Sequence, residues 1–363
     1  MADPLPLNSR PPSGGESRSS DRRFRPSTPE DGPAIVALMR EAGLEPNAEP
    51  AHLHWKYWQV RPDWPGPRSF VIADRGALLA HGAIMPGTLR WGGREARVIH
   101  MIDWAAQREA IGAGVQLMKH VGRQTDYLLG VGGSEQTRKI MPLIGYRLSG
   151  EVTGFVKPLA PARLLGKLGG SRWKRVPRFA RSLLWSLSTP RTQSSAWQTL
   201  PIRAEDLERI GPVLPEPGVQ LAVLSRGPAY LRHALACPIV PIGLHVLERA
   251  GRIGGYFLLS YAPGQARLAD LWMNSADPMD WRALVHAAIR EARGSGQVAE
   301  LAAWSSDPAL SKVFAECGFH ARFTLPIYLR GSAGALPPDK PLRVQMLDND
   351  AFYLYFSTRN LWA

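Results

Sequence analysis

Only two of the 363 residues are cysteine, Cys237 and Cys317. That is too few for a disulfide framework, and no grouping of His, Cys, Asp or Glu has metal-ligand spacing. Two thiols in apolar surroundings fit reduced structural cysteines of a cytosolic protein. No apolar run reaches the roughly 18 residues that a membrane-spanning helix needs. Met1 to Arg22 hold Pro, Ser, Gly and Arg without an apolar stretch. They read as a disordered lead and not as a signal peptide, so a cytoplasmic location is expected. The most local absence is of acid: between Val152 and Gln198 there is no Asp or Glu, although the segment contains Lys157, Arg163, Lys167, Arg172, Lys174, Arg175, Arg178, Arg181 and Arg191.

That segment carries much of the net charge of +13. Within it Trp173, Val176, Ala180, Leu183, Leu184 and Leu187 recur at helical spacing, with Lys174, Arg175, Arg178 and Arg181 on other faces. The pattern predicts a basic amphipathic helix over 172–187, started or kinked at Pro177. Such a helix can lie peripherally in an anionic membrane interface. It can equally be a connector whose apolar stripe packs on its neighbours. Nucleic acid is the weakest partner reading, because no zinc spacing, helix-turn-helix pattern or aromatic sheet motif accompanies the charge.

What the chain does have is the same plan twice. Phe70 to Ile84 and Leu244 to Leu258 each read as an apolar run, a polar turn and a second apolar run. A short helix and a proline precede each: His52 to Tyr57 before Pro62, and Tyr230 to Ala234 before Pro238. Each is followed by an apolar strand with one acid, Asp103 or Asp270, and later by a Gly-aromatic stop, Gly145-Tyr146 or Gly318-Phe319. Repeated landmarks in one order mean two related units. The expected division is a disordered segment at 1–22, a first domain at 23–157, the basic connector at 158–198, a second domain at 199–330 and an extension at 331–363.

In the first unit Thr28, Pro29 and Asp31 signal a helix start and Gly43 its stop, with Ile35, Leu38, Met39 and Ala42 facing inward. Strand Arg97 to Trp104 runs into Ala105 to Gly114 and then a helix from Val115 to Val121. A strand, a small-residue loop and a helix N-terminus form an anion site, since unpaired N–H groups and the helix dipole both favour phosphate. The second unit has Ser-Ala-Asp-Pro-Met-Asp between Asn274 and Trp281 and lacks the glycines.

With these landmarks, each unit resembles the GNAT superfamily of acyl-CoA N-acyltransferases. The family loop, Arg/Gln-x-x-Gly-x-Gly/Ala, is matched by Gln107 to Gly112 with Ala110 in place of the first glycine. His54 to Tyr57, Leu129-Gly130 and Ile144 to Tyr146 look like a tandem-domain branch associated with bacterial polysaccharide pathways. The arrangement is also similar to Fem-type peptidyltransferases, which pair two such folds. The resemblance implies an α/β (α+β) fold of two GNAT-like domains, each a mixed, mostly antiparallel twisted sheet flanked by helices. It also implies acetyl-CoA or another acyl-CoA as cofactor. The pyrophosphate would lie on the backbone from Gln107 and Arg108 through Ala110, Ile111, Gly112 and Ala113 to Gly114, and the pantetheine arm along Met101 and Ile102.

Acyl transfer to an amine needs a base, oxyanion donors and an acid for the thiolate. Asp103 is the first base candidate and His100 the second; for Asp103 a structural acid is the competing reading, which its echo Asp270 favours. The family's acid is a tyrosine four residues before the Gly-aromatic stop, where this chain has Met141. Trp55 and Tyr57 are candidates for an acceptor pocket, since aromatic rings suit sugar faces, against ordinary core packing. His81 reads as a satisfied or surface histidine. Asp348, Asn349 and Asp350 with Phe352, Tyr353, Tyr355 and Phe356 could contact an acceptor or dock a terminal element on the second unit. Two functions follow: N-acyl transfer to an amino group, such as that of a sugar or polysaccharide precursor, or a binding scaffold on a GNAT fold that has lost its chemistry.

Overall fold

Both repeats enter one continuous sheet. The computed structural model describes residues 22–165, 172–187, 196–216, 221–331 and 341–354; the expected lead at 1–21, Lys167, Arg191, Tyr355 and Phe356 lie outside them. The first repeat contributes β1 (Arg23–Pro26), β2 (Ser69–Asp74), β3 (Ala77–Trp91), β4 (Arg94–Ala106), β5 (Tyr127–Val131) and β6 (Arg147–Pro158). The second contributes β7 (Gln198–Ile202), β8 (Ala222–Leu224), β9 (Ile242–Arg249), β10 (Arg252–Ala262), β11 (Gln265–Met273), β12 (Glu300–Ser305) and β13 (His320–Gly331), and β14 (Leu342–Arg343) follows. The main path runs β1-β2-β3-β4-β5-β13-β6-β12-β11-β10-β9-β7, with β8 joining β3 to β14.

The path shows an exchange. β13 lies between β5 and β6, and β6 lies between β13 and β12. The closing strand of each repeat therefore pairs with the last-but-one strand of the other. All main-path pairs are antiparallel except β4 with β5 and β11 with β12. This is the mixed, mostly antiparallel sheet expected. One apolar cluster draws Trp55, Leu89 and Leu129 from the first repeat and Leu231, Tyr256 and Trp304 from the second.

The helices follow their sequence signals. A single 3-10 turn at Pro29–Asp31 leads into α1 (Gly32–Glu41), and the Asp31 Oδ2 accepts the Thr28 N–H at 2.8 Å. α1 buries Ile35, Leu38 and Met39; Ala42 lies past its end and is exposed, a correction to the predicted inward set. α2 (Pro50–Leu53) continues as a π turn over His54–Trp58, and that wider winding buries Trp55, Lys56 and Tyr57 in succession. α3 (Ala113–Gly122) and α4 (Glu135–Ile140) flank the first repeat.

After α5 (Pro161–Leu165), the basic helix is α6 (Arg172–Leu187), and it continues through Pro177. Of its predicted apolar stripe, the side chains of Ala180, Leu183 and Leu184 are described. Ser182 is buried and Trp185 stacks on His320 at 3.9 Å, whereas Ala180, Leu183 and Leu184 face outward, Leu184 being 67% exposed. α7 (Pro228–Leu235), α8 (Pro278–Gly294) and α9 (Pro308–Glu316) complete the second repeat. Among the described residues no helix is long and apolar enough to cross a membrane. Cys237 and Cys317 are buried free thiols.

Candidate functional site

β4 and β5 share a short parallel ladder, Val98 to His100 against Tyr127 to Leu129, and then part. From Met101 onward β4 pairs only with β3, and β5 pairs on its far side with β13. The wedge between them leads to the β4–α3 loop. Gly112 sits there at φ 80, a left-handed conformation that glycine adopts freely, and an added Cβ would meet nothing within 4 Å. α3 has no side-chain cap, and the N–H groups of Ile111, Gly112, Gly114 and Val115 find no acceptor among the described residues. Gln107 is tied to Leu79 O through its N–H, Arg108 and Ile111 are exposed, and Ala110 and Ala113 are buried beneath the turn. Trp104 closes the underside by donating its Nε1–H to Gly114 O at 3.1 Å.

Strand alternation sorts the rest of β4. Ile99 and Met101 face the cluster that includes Leu117 of α3. Val98, His100 and Ile102 face the other way, toward the π turn and the second repeat. The ladder with β3 slips between His81 and Ala83, and at this bulge Asp103 takes φ 50. Asp is one of the few side chains that tolerates that region. Its carboxylate is ion-paired with Lys56 and accepts the Tyr57 hydroxyl hydrogen at 2.7 Å. Burial pushes the Asp103 carboxyl up, but Lys56 and Tyr57 outweigh it and hold it below the usual aspartate value. The π turn thus locks onto the bulge.

Two clefts open on this face. One has His100, Arg226, Tyr230 and Asp348 in its wall. His100 is pushed down to about 4 by burial and is neutral; its Nδ1–H donates to Asp348 O at 2.7 Å. The other, slightly larger, has Trp55, Lys56, Arg61, Arg68, Tyr230 and Tyr353 in its wall. Half-buried Asp350 feels the charges of Lys56 and Asp103; its carboxyl is pushed up to about 6 by burial and by Asp103, against the pull of Lys56. A carboxyl in that range exchanges protons near neutrality.

The second repeat offers the same positions and fills them. α8 begins with its own acids: Asp277 Oδ1 accepts the Met279 N–H at 2.8 Å, and Asp280 accepts the Trp197 Nε1–H at 2.7 Å. The edge of β11 is covered by the chain after β14: Leu271 N–H donates to Gln345 Oε1 at 3.2 Å, and Gln345 Nε2–H donates to Leu271 O at 3.1 Å. Asp270 is fully buried among Arg226 (3.0 Å), Tyr256 (2.7 Å) and Gln345 (2.9 Å).

The residues singled out from sequence therefore separate. Met101 and Ile102 lie on β4 just past its ladder with β5 and turn their side chains to opposite faces, and the strand runs on into the loop from Gln107 to Gly114. Asp103 and Tyr57 are partners within a buried cluster, with Tyr57 2% exposed. Trp55 is in the wall of the larger cleft, its ring 4.8 Å from that of His233. His81 is fully buried, its Nε2 3.0 Å from Ser69 Oγ. Met141 packs over Gly130, where an added Cβ would lie 2.8 Å from its Cε. Tyr353 stood among the C-terminal aromatics read as able to contact an acceptor, whereas Arg61, Arg68 and Tyr230 were not foreseen as pocket residues. The two arginines carried a signal, being cations set among aromatics just before an apolar strand.

No family model and no curated protein matches the sequence. Solved structures match the fold. N-myristoyltransferase of Saccharomyces cerevisiae with bound myristoyl-CoA gives a TM-score of 0.61 at 15% identity, over 96% of this chain and 85% of that one. A GCN5-related N-acetyltransferase from Anabaena variabilis gives 0.57 at 13% identity, over 85% and 72%. One from Kribbella flavida gives 0.54 at 15% identity, over 87% and 72%. The fold is thus that of the GNAT N-acyltransferases.

Proposed function

We propose that this protein is an acyl-CoA-dependent N-acyltransferase whose first repeat holds the acyl donor. The observation that carries this reading is the open β4–β5 wedge running to an uncapped helix N-terminus. An extended pantetheine arm can add to the free edge at Met101 and Ile102, and the N–H groups from Ile111 to Val115 can receive a diphosphate. Bound there, an acyl-CoA supplies an activated thioester. The wedge bottom backs onto the face where Ile102, Lys56 and Asp350 gather.

The amino acceptor enters from the larger cleft. Its nitrogen attacks the thioester carbonyl, a C–N bond forms, the C–S bond breaks, and CoA leaves as the thiolate. Asp350, with its raised carboxyl, takes the ammonium proton. Asp103, paired to Lys56 and held anionic, positions the π turn and sets the field that raises Asp350. His100, neutral and fixed on Asp348 O, shapes the cleft wall. An amino sugar of a polysaccharide precursor is one acceptor compatible with the rings of Trp55 and Tyr353. Acetyl-CoA is the simplest donor. Incubation with acetyl-CoA and longer acyl-CoAs plus an amine library, read as free thiol and acylated amine, tests the proposal; thiol release without amine dependence, or none at all, contradicts it.

A peripheral membrane role for α6 is a second element of the proposal. Leu183 and Leu184 point outward on a helix whose flanking segment has no acid, so an anionic lipid surface suits both faces. Flotation with phosphatidylserine vesicles against phosphatidylcholine vesicles tests it, and equal behaviour with both contradicts it.

A further inference from the structure

The larger cleft contains a buried cation without a buried anion to match. Arg68 is 5% exposed and lies in the cleft wall. Its Nη2 donates to Trp55 O at 2.7 Å and to Gln59 O at 2.8 Å, and its Nη1 sits 3.1 Å from His233 Nε2. These use three of the five guanidinium N–H groups. Among the described residues no carboxylate lies within ion-pair distance of Arg68. Its neighbours are already committed: Arg61 is 3% exposed and grips Asp63, and Lys56 is paired with Asp103. His233 cannot share the charge, because burial and then the two arginines push it down to about 2, which makes its ring a neutral acceptor. The Tyr353 hydroxyl, also in the wall, is buried without a partner among the described residues.

A guanidinium taken out of water is costly unless an anion meets it, and carboxylate is the anion its planar fork matches best. The rest of the wall mixes the rings of Trp55, Tyr230, Phe352 and Tyr353 with aliphatic Met85 and Ile102. The geometry points to an acceptor that carries a carboxylate together with its amine: the carboxylate pairs with Arg68, the apolar body lies against Trp55 and Tyr353, and the amine is presented toward Asp350. The assignment rests on the acyltransferase reading for the fate of the amine, but the carboxylate site itself does not.

Calorimetry on the intact protein with matched probes separates the two. L-Phenylalanine is compared with its amide, and muramic acid with its amide; each pair shares a body and an amine and differs in the carboxylate. A carboxylate-bearing member should bind about tenfold to hundredfold tighter than its neutral counterpart, the range of a charge-assisted hydrogen bond. Arg68→Lys should shrink that preference with the fold retained by circular dichroism. Equal affinities within both pairs, or no binding by any probe at millimolar concentration, overturns the carboxylate site. Acyl-CoA is titrated separately: binding of acyl-CoA with no carboxylate preference sinks this inference alone, whereas carboxylate preference without acyl-CoA binding sinks the acyltransferase reading and leaves the site.

Discussion

The two halves of the chain place a helix after a matching strand, α3 after β4 and α8 after β11, and treat its start in opposite ways. In the first, α3 begins just after Gly112 with no side-chain cap, and among the described residues four N–H groups there find no acceptor and the β4–β5 wedge has no strand or side-chain amide on its edge. In the second, Asp277 and Asp280 occupy the start of α8, and Gln345 fastens itself to the edge of β11. The chain supplies its own carboxylates at the start of α8, whereas α3 has none there. Sharing a fold therefore does not mean sharing a site. Ligand capacity depends on whether the helix terminus and strand edge are already satisfied by the protein.

The buried acids differ in the same sense, and breaking them should show it. Asp103 has one cation, Lys56, so Asp103→Asn leaves a buried ammonium alone and should cost about 3–5 kcal/mol in urea unfolding. Asp270→Asn should cost less, because Arg226 keeps Asp348 at 2.5 Å. Equal losses would contradict the distinction.

Asp350→Asn should lower turnover by about 10²- to 10⁴-fold with little change in acyl-CoA affinity. In the wild type, turnover should rise with pH through about 6 as Asp350 ionises. Stability should move the other way. Asp348 and Asp350 both have raised carboxyls in the fold, each to about 6 and chiefly through burial. The native state thus favours their protonated forms; that stabilisation is complete below the ordinary aspartate pKa of about 4 and is lost as pH rises through about 6. A pH–rate profile unchanged in Asp350→Asn would remove it as the base.

Gly112→Asp copies the second repeat's solution into the first. It should weaken CoA binding about tenfold to hundredfold by placing a carboxylate at the helix start, while circular dichroism stays native. The smallest effect should come from Leu183→Ser with Leu184→Ser, which should reduce flotation with anionic vesicles and leave acyl transfer in solution unchanged.

Much of the local structure was legible in the sequence. The hairpins, the helix start at Pro29 and the glycine loop follow from short-range rules, and β2, β3, β9 and β10 lie where those signals put them. The strand exchange was not legible. Whether β6 closes its own repeat or the other is decided by pairing partners more than a hundred residues apart, to which local periodicity is blind. The same limit hid the arginine cleft, because Arg68 meets His233 only through the contact between repeats. Asp103 could be seen as an acid on a strand, but its ion pair with Lys56 needed the π turn, which sequence pattern does not announce. The outward turn of Leu183 and Leu184 depends on Trp185 finding His320, another distant partner.

The central claim is that the free N–H groups at the start of α3 hold a diphosphate. Calorimetric titration with CoA and, separately, with pantetheine tests it most directly. The account predicts that CoA binds and that pantetheine, which has the arm without the diphosphate, binds at least about tenfold more weakly. Equal affinity for the two, or no heat with CoA at millimolar concentration, would contradict it.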